Sequence, residues 1–131
     1  MKFLTLAVYI AGAAALGINC RGNDLCNKDA GQLFEIRDQI SDMINAGNGG
    51  RYFGEMNQIA CSSGRSNTIC AYFQKGASGS AVDAYNHVQN LLNHGCRICG
   101  SDPTQPGNDV NNGELTVNIV DNACCVGNCQ C

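Results

Sequence analysis

The ten cysteines are the side chains of this 131-residue chain with the most chemistry to offer. They are Cys20, Cys26, Cys61, Cys70, Cys96, Cys99, Cys124, Cys125, Cys129 and Cys131, an even set. Cysteines in such numbers bind metal, carry redox chemistry or pair as bridges, and the compartment decides among these. The run His94-Gly95-Cys96-Arg97-Ile98-Cys99 holds three soft or borderline ligands. Tetrahedral zinc needs four deprotonated ones, which a lone CxxC does not supply. A redox CxxC sits at a helix N-terminus, whereas this one follows a helix stop at Gly95 and continues with β-prone Ile98. The density of cysteine therefore predicts five disulfides in an oxidising compartment, each stabilising by about 2–4 kcal/mol. The residues alone leave the pairing open among about 945 connectivities.

Catalytic groups are scarce. His87 and His94 are the side chains suited to act as bases near neutral pH. His87 falls on a predicted helix, and His94 in its last turn, where a cation suits the helix dipole. The chain contains no GxSxG, HExxH or P-loop motif. Glu35, Asp38 and Asp42 are spaced as one acidic stripe on a helix and read as a solvated face. Sugar platforms are few, with no Trp, 4 Tyr and 4 Phe. Asp102, Asp109 and Glu114 offer oxygen ligands for Ca²⁺, but their spacing departs from the EF-hand loop. No enzyme activity, metal or cofactor is expected. The chain reads as one that acts by binding, as a toxin, inhibitor, effector or wall-associated protein does.

The elements that must position these residues follow from punctuation and period. Lys2, an apolar run over residues 3–16 and Ala13-Ala14-Ala15 have the order of a secretory signal peptide, with cleavage expected after Ala15. The run is too short to span a bilayer, which takes about 20 helical residues. The domain is then residues 16–131, ending in a Cys-rich tail over 124–131 that its own bridges would pin. A first helix is predicted to open at Asp29 as N-cap, with Gln32 completing a capping box and Leu33, Ile36, Ile40, Met43 and Ile44 forming the apolar stripe. Gly47 ends it. A second opens near Ser80 with Asp83 three residues on, carries Val82, Tyr85, Val88 and Leu92, and stops at Gly95.

Extended stretches are predicted at residues 16–20, 58–62, 68–73, 97–100 and 115–120. Those at 58–62 and 68–73 flank a polar loop around Arg65, and 101–113 reads as a loop. Leu115, Val117 and Ile119 alternate with Thr116, Asn118 and Val120, which suits a half-buried strand. Two amphipathic helices need an apolar partner. The predicted fold is thus α+β, a disulfide-stapled two-layer sandwich with two antiparallel helices on one face of an antiparallel sheet of about five short strands.

Charge narrows the partners. The chain carries 8 Lys+Arg against 11 Asp+Glu, a net charge of −3. Setting aside Lys2 leaves −4. Nucleic-acid binding selects for clustered cations and is not expected. An extracellular, secreted monomer without a membrane segment is.

Several blocks carry a resemblance. Leu16-Gly17-Ile18-Asn19-Cys20-Arg21-Gly22, the run Asn93-His94-Gly95-Cys96-Arg97-Ile98-Cys99-Gly100-Ser101-Asp102-Pro103, and Gly113-Glu114-Leu115-Thr116-Val117-Asn118 are similar, in order, to segments of the fungal KP4-like killer toxin family. The likeness runs from residue 16 to about residue 124. It implies the same α/β sandwich, and it implies bridges Cys20–Cys96, Cys26–Cys99 and Cys61–Cys124; Cys70, Cys125, Cys129 and Cys131 have no match there and are expected to pair among themselves, Cys70 with one tail cysteine. It further implies a secreted antifungal toxin that inhibits calcium uptake through a channel of the target cell. The segment before Cys61, cation-rich in the family, reads Glu55-Met56-Asn57-Gln58-Ile59-Ala60 here. Arg65 and Lys75 are the nearby cations left to bind a target. The alternative is a secreted cysteine-rich effector that binds a wall or host surface component without blocking a channel.

Overall fold

A computed structural model describes residues 16–131 of the chain; the leader expected over 1–15 lies outside the described residues. In chain order the elements are α1 (Leu33–Met43), a π-helical turn (Ile44–Asn48), β1 (Tyr52–Phe53), β2 (Ala60–Ser63), β3 (Thr68–Gln74), β4 (Gly79–Ser80), α2 (Ala81–His94), β5 (Gly100–Pro103), a 3₁₀ turn (Val110–Asn112), β6 (Glu114–Val120) and β7 (Cys129–Gln130). Five strands form an antiparallel sheet in the order β5-β6-β3-β2-β7, and β1 pairs with β4 separately. The two-layer α+β sandwich predicted from the sequence is the fold observed.

Side-chain alternation along β3 and β6 gives the sheet its two faces. Ile69, Ala71 and Phe73 point into the core with Leu115 and Val117, their partners or near neighbours in register. They meet Leu33, Ile36, Ile40 and Met43 of α1, and Ala81, Ala84, Val88 and Leu91 of α2. The intervening residues, Cys70, Tyr72 and Gln74 of β3 with Glu114, Thr116 and Asn118 of β6, belong to the opposite face.

The second helix forms as its local signals predict. Ser80 Oγ accepts from the Asp83 amide, the Asp83 carboxylate accepts from the Ser80 amide, and Gly95 closes the helix in the left-handed region. The first helix starts later than predicted. Its N-cap is Gln32, which makes no side-chain cap, and Asp29 lies outside it. The capping oxygen comes from another element: Ser62 Oγ on β2 accepts from the Gln32 amide at 2.9 Å and donates to Glu35 Oε1 at 2.7 Å. Glu35 is thereby drawn toward the sheet, and the expected acidic stripe keeps only Asp38 and Asp42 exposed. The Asp29 carbonyl instead accepts the amides of Ser66 and Asn67, tying this segment to the β2–β3 loop.

Strand boundaries differ where bridges intervene. The stretch predicted at 97–100 is bent, because Cys96 and Cys99 are both bonded to the N-terminal segment, and the strand forms instead over Gly100–Pro103, inside the predicted loop. Pro103 is tolerated there because β5 is an edge strand. Residues 16–20 contribute one bridge, Asn19 to Ser101, rather than a strand. The fifth strand of the sheet comes from the tail.

Five disulfides are formed: Cys20–Cys96, Cys26–Cys99, Cys61–Cys70, Cys124–Cys131 and Cys125–Cys129. The bond implied between Cys61 and Cys124 is not among them, and Cys70 takes no tail cysteine. The reason is register. Cys61 and Cys70 are directly opposed on β2 and β3. The tail meanwhile closes on itself, because Cys124 and Cys131 donate their amides to Gln58 Oε1 and the Ile59 carbonyl, two adjacent residues.

Candidate target-binding surface

Because both helices cover one face of the sheet, the other face, across β5, β6 and β3, is open in that no helix covers it, while its side chains are buried or half-buried. The N-terminal segment frames it. Cys20 and Cys26 are bonded to Cys96 and Cys99, Asn19 exchanges backbone hydrogen bonds with Ser101, and the Asn23 amide donates to Asn118 Oδ1 at 2.9 Å. Between this segment, the 3₁₀ turn and the sheet lies a cleft of about 500 Å³, lined among others by Arg21, Gln74, Lys75, Ser101, Glu114 and Thr116.

Its floor is a connected polar set. Gln74 Nε2 donates to Glu114 Oε2 at 2.7 Å and to Thr116 Oγ1 at 3.1 Å, and Ser101 Oγ shares a hydrogen bond with Thr116 Oγ1 at 3.0 Å. Glu114 and Thr116 are buried, and no cation among the described residues lies within ion-pair distance of Glu114. Tyr72, opposite Thr116 on the same face, has its phenol pKa raised, first by burial and then by the Glu114 charge. It lines a second hollow of about 280 Å³ with Met56, Gln58 and Val120.

Lys75 stands at the rim. It and Gly76 both have positive φ, +62° and +83°, and the Ala77 amide closes the turn on the Gln74 carbonyl. That turn ends β3 and presents Lys75 to solvent, with Nζ 3.4 Å from Asn111 Oδ1. Arg65, also exposed, lies in the β2–β3 loop at the other end of the seven-residue β3, which is about 20 Å long. The structure thus does not bring the two predicted target-binding cations together. It brings Lys75 to the same cleft as Arg21, a residue that charge reading passed over. Its placement depends on the Cys20–Cys96 bridge, so no local signal marks it.

The remaining candidates disperse. His87 Nδ1 is 2.7 Å from Asp102 Oδ2, which also accepts from Asn90 Nδ2 at 3.0 Å, and the His87 ring stands edge-on to Phe73. This pair ties α2 to β5 on the core side. His94 is exposed at the end of α2. Asp102, Asp109 and Glu114 do not converge: Asp102 faces α2, Asp109 caps the 3₁₀ turn through the Asn111 amide, and Glu114 lies in the cleft. The sulfurs of Cys61, Cys124, Cys125 and Cys131 lie within 4.8 Å of one another. All four are in disulfides, so none is a thiolate ready to bind a metal. No helix among the described residues is long and apolar enough to cross a membrane.

Two comparisons with known proteins bear on this surface. The Kp4 family model matches residues 3–121. The chain is also 44% identical over 127 residues, 94% of each chain, to the KP4 killer toxin of Ustilago maydis P4 virus.

Proposed function

The chain belongs to the Kp4 family, and from that membership we propose that it is a secreted killer toxin that restrains the growth of target cells by binding, without enzymatic turnover. The observation that carries this reading is the identity to a killer toxin along 94% of both chains. Five bridges in a domain of this size suit a protein that must endure outside the cell. The finer reading is inhibition of calcium uptake through a channel in the target membrane, with the Lys75 and Arg21 rim of the open sheet face meeting an acidic channel surface. Charge complementarity supports that choice of edge, since cations facing an acidic partner speed encounter and fix orientation.

A second reading rests on the acidic balance of the chain and on the uncharged amides and hydroxyls that dominate the cleft. It is a secreted effector that binds a wall or host surface component. One assay separates the readings. The oxidised, secreted protein is applied to fungal cells and plant roots, with and without added calcium. The channel reading expects growth inhibition relieved by calcium. Inhibition indifferent to calcium keeps the toxin and removes the channel. Wall binding with no effect on growth favours the second reading.

A further inference from the structure

The sulfurs of three bridges crowd one corner of the sheet. Cys61 Sγ, bonded to Cys70, lies 3.7 Å from Cys124 Sγ and 4.0 Å from Cys131 Sγ, and Cys124 Sγ lies 3.3 Å from Cys125 Sγ. These contacts are held from both sides. Cys61 is wholly buried on β2, opposite Cys70 on β3 and Cys129 on β7. The tail is anchored by the Cys131 amide on the Ile59 carbonyl, the Cys124 amide on Gln58 and the Gly127 amide on Ser63 Oγ. Of the sulfurs bonded in this corner, Cys124 belongs to an exposed residue, whereas Cys61 and Cys70 are buried.

We propose that this corner is a thiol–disulfide exchange site, opened at Cys124 by a small-molecule thiol and rearranged through the Cys131 sulfur already beside Cys61. An incoming thiolate attacks Cys124 Sγ, forms a mixed disulfide there and releases Cys131 as thiolate. Cys131 attacks Cys61 Sγ, forms Cys61–Cys131 and releases Cys70. Cys70 attacks the mixed disulfide at Cys124, forms Cys70–Cys124 and expels the small thiolate. Two bridges are broken and two are made, no electrons are gained or lost overall, and the thiol is regenerated. Exchange of this kind proceeds through a thiolate, a mixed disulfide and an accessible sulfur.

The consequence is a change in how the tail is held. In the structure described, Cys61–Cys70 and Cys124–Cys131 close loops with sequence separations of 9 and 7, and only hydrogen bonds and packing fix the tail to β2. In the exchanged isomer both bonds run from the tail to the central strands, and the Cys61–Cys131 bond has a separation of 70. Longer closed loops constrain the unfolded chain more. A passing thiol would thus convert a latched tail into a stapled one.

Trypsin makes this testable, because it cuts after Arg65, between Cys61 and Cys70. The oxidised protein is incubated with reduced glutathione at a small fraction of its own concentration, quenched with acid and N-ethylmaleimide, and digested without reduction. Before exposure, peptides 52–65 and 66–75 are bonded to each other and not to the tail. The expected result is that both become bonded to the tail peptide, in molar excess over the thiol added. A C125S/C129S variant, cut also at Val126 with elastase, assigns Cys61 to Cys131 and Cys70 to Cys124. Peptides that stay paired as before, with or without glutathione trapped on Cys124, overturn the proposal. So does conversion that stops at one equivalent of thiol, or exchange that joins Cys61 to a tail cysteine other than Cys131.

Discussion

Ser62 Oγ, on a fully buried residue of β2, donates to Glu35 Oε1 of α1 at 2.7 Å. The same oxygen accepts the Gln32 amide, so one hydroxyl both caps the helix and holds its first-turn carboxylate. Replacing it with a methyl group leaves a donor and a carboxylate at a buried joint with no partner. Ser62→Ala is expected to destabilise the fold by about 1–3 kcal/mol, read as a lower guanidinium midpoint with an unchanged slope. Glu35→Gln keeps an acceptor for the hydroxyl and should cost less than half as much. Equal losses in the two variants would show that the carboxylate, rather than the cap, carries the joint.

His87 and Asp102 form the second joint, between α2 and β5. Asp102 is buried and receives two hydrogen bonds, from His87 and Asn90. His87→Ala strips it of one partner and of the edge contact on Phe73. A loss of about 2–3 kcal/mol is expected, against a smaller loss for His87→Gln, which retains a side-chain donor. If His87→Ala abolishes growth inhibition while the midpoint is unchanged, the pair has a functional role and the structural assignment fails.

The sequence disclosed what was local. Ser80, Asp83 and Gly95 sit within the helix they start and stop, and the alternation of Leu115, Val117 and Ile119 needs no partner to be read. What it hid was contributed from afar. The cap of α1 lies 30 residues away, on β2. The strand at Cys129–Gln130 is two residues long and exists only because β2 offers it an edge. The Cys61–Cys70 bridge did leave a signal. In a hairpin turning around Arg65, the two positions are nearly equidistant from the loop centre, and counting outward along the strands sets them face to face. The cleft was less legible than the fold, since Arg21 reaches it through a bridge to Cys96 and Lys75 through a left-handed turn.

Lys75 gives the cleanest functional variant. A left-handed lysine costs about 1–2 kcal/mol that Asn or Gly largely avoids, so Lys75→Asn removes the charge while suiting the turn. We expect unchanged or slightly raised stability together with weaker growth inhibition, and a further loss in the Arg21→Gln, Lys75→Asn double variant. Arg65→Gln, at the far end of β3, should retain activity. A dose–response series on sensitive cells checks this, and full activity in the double variant would remove the cleft rim from target binding.

Tyr72 makes the open face sensitive to alkali. Burial raises its phenol pKa above 10.0, and the nearby Glu114 charge raises it further, because both disfavour the phenolate. A folded pKa above the unfolded one means that this contribution to stability is complete below pH 10 and is lost as pH rises through the folded value. Absorbance titration should show Tyr72 ionising above the range of a free phenol, with stability falling over the same range. Glu114→Gln removes the second cause alone. Its Tyr72 midpoint should move down toward, but not reach, that of an exposed tyrosine, whereas an unmoved midpoint would mean that burial accounts for the whole shift.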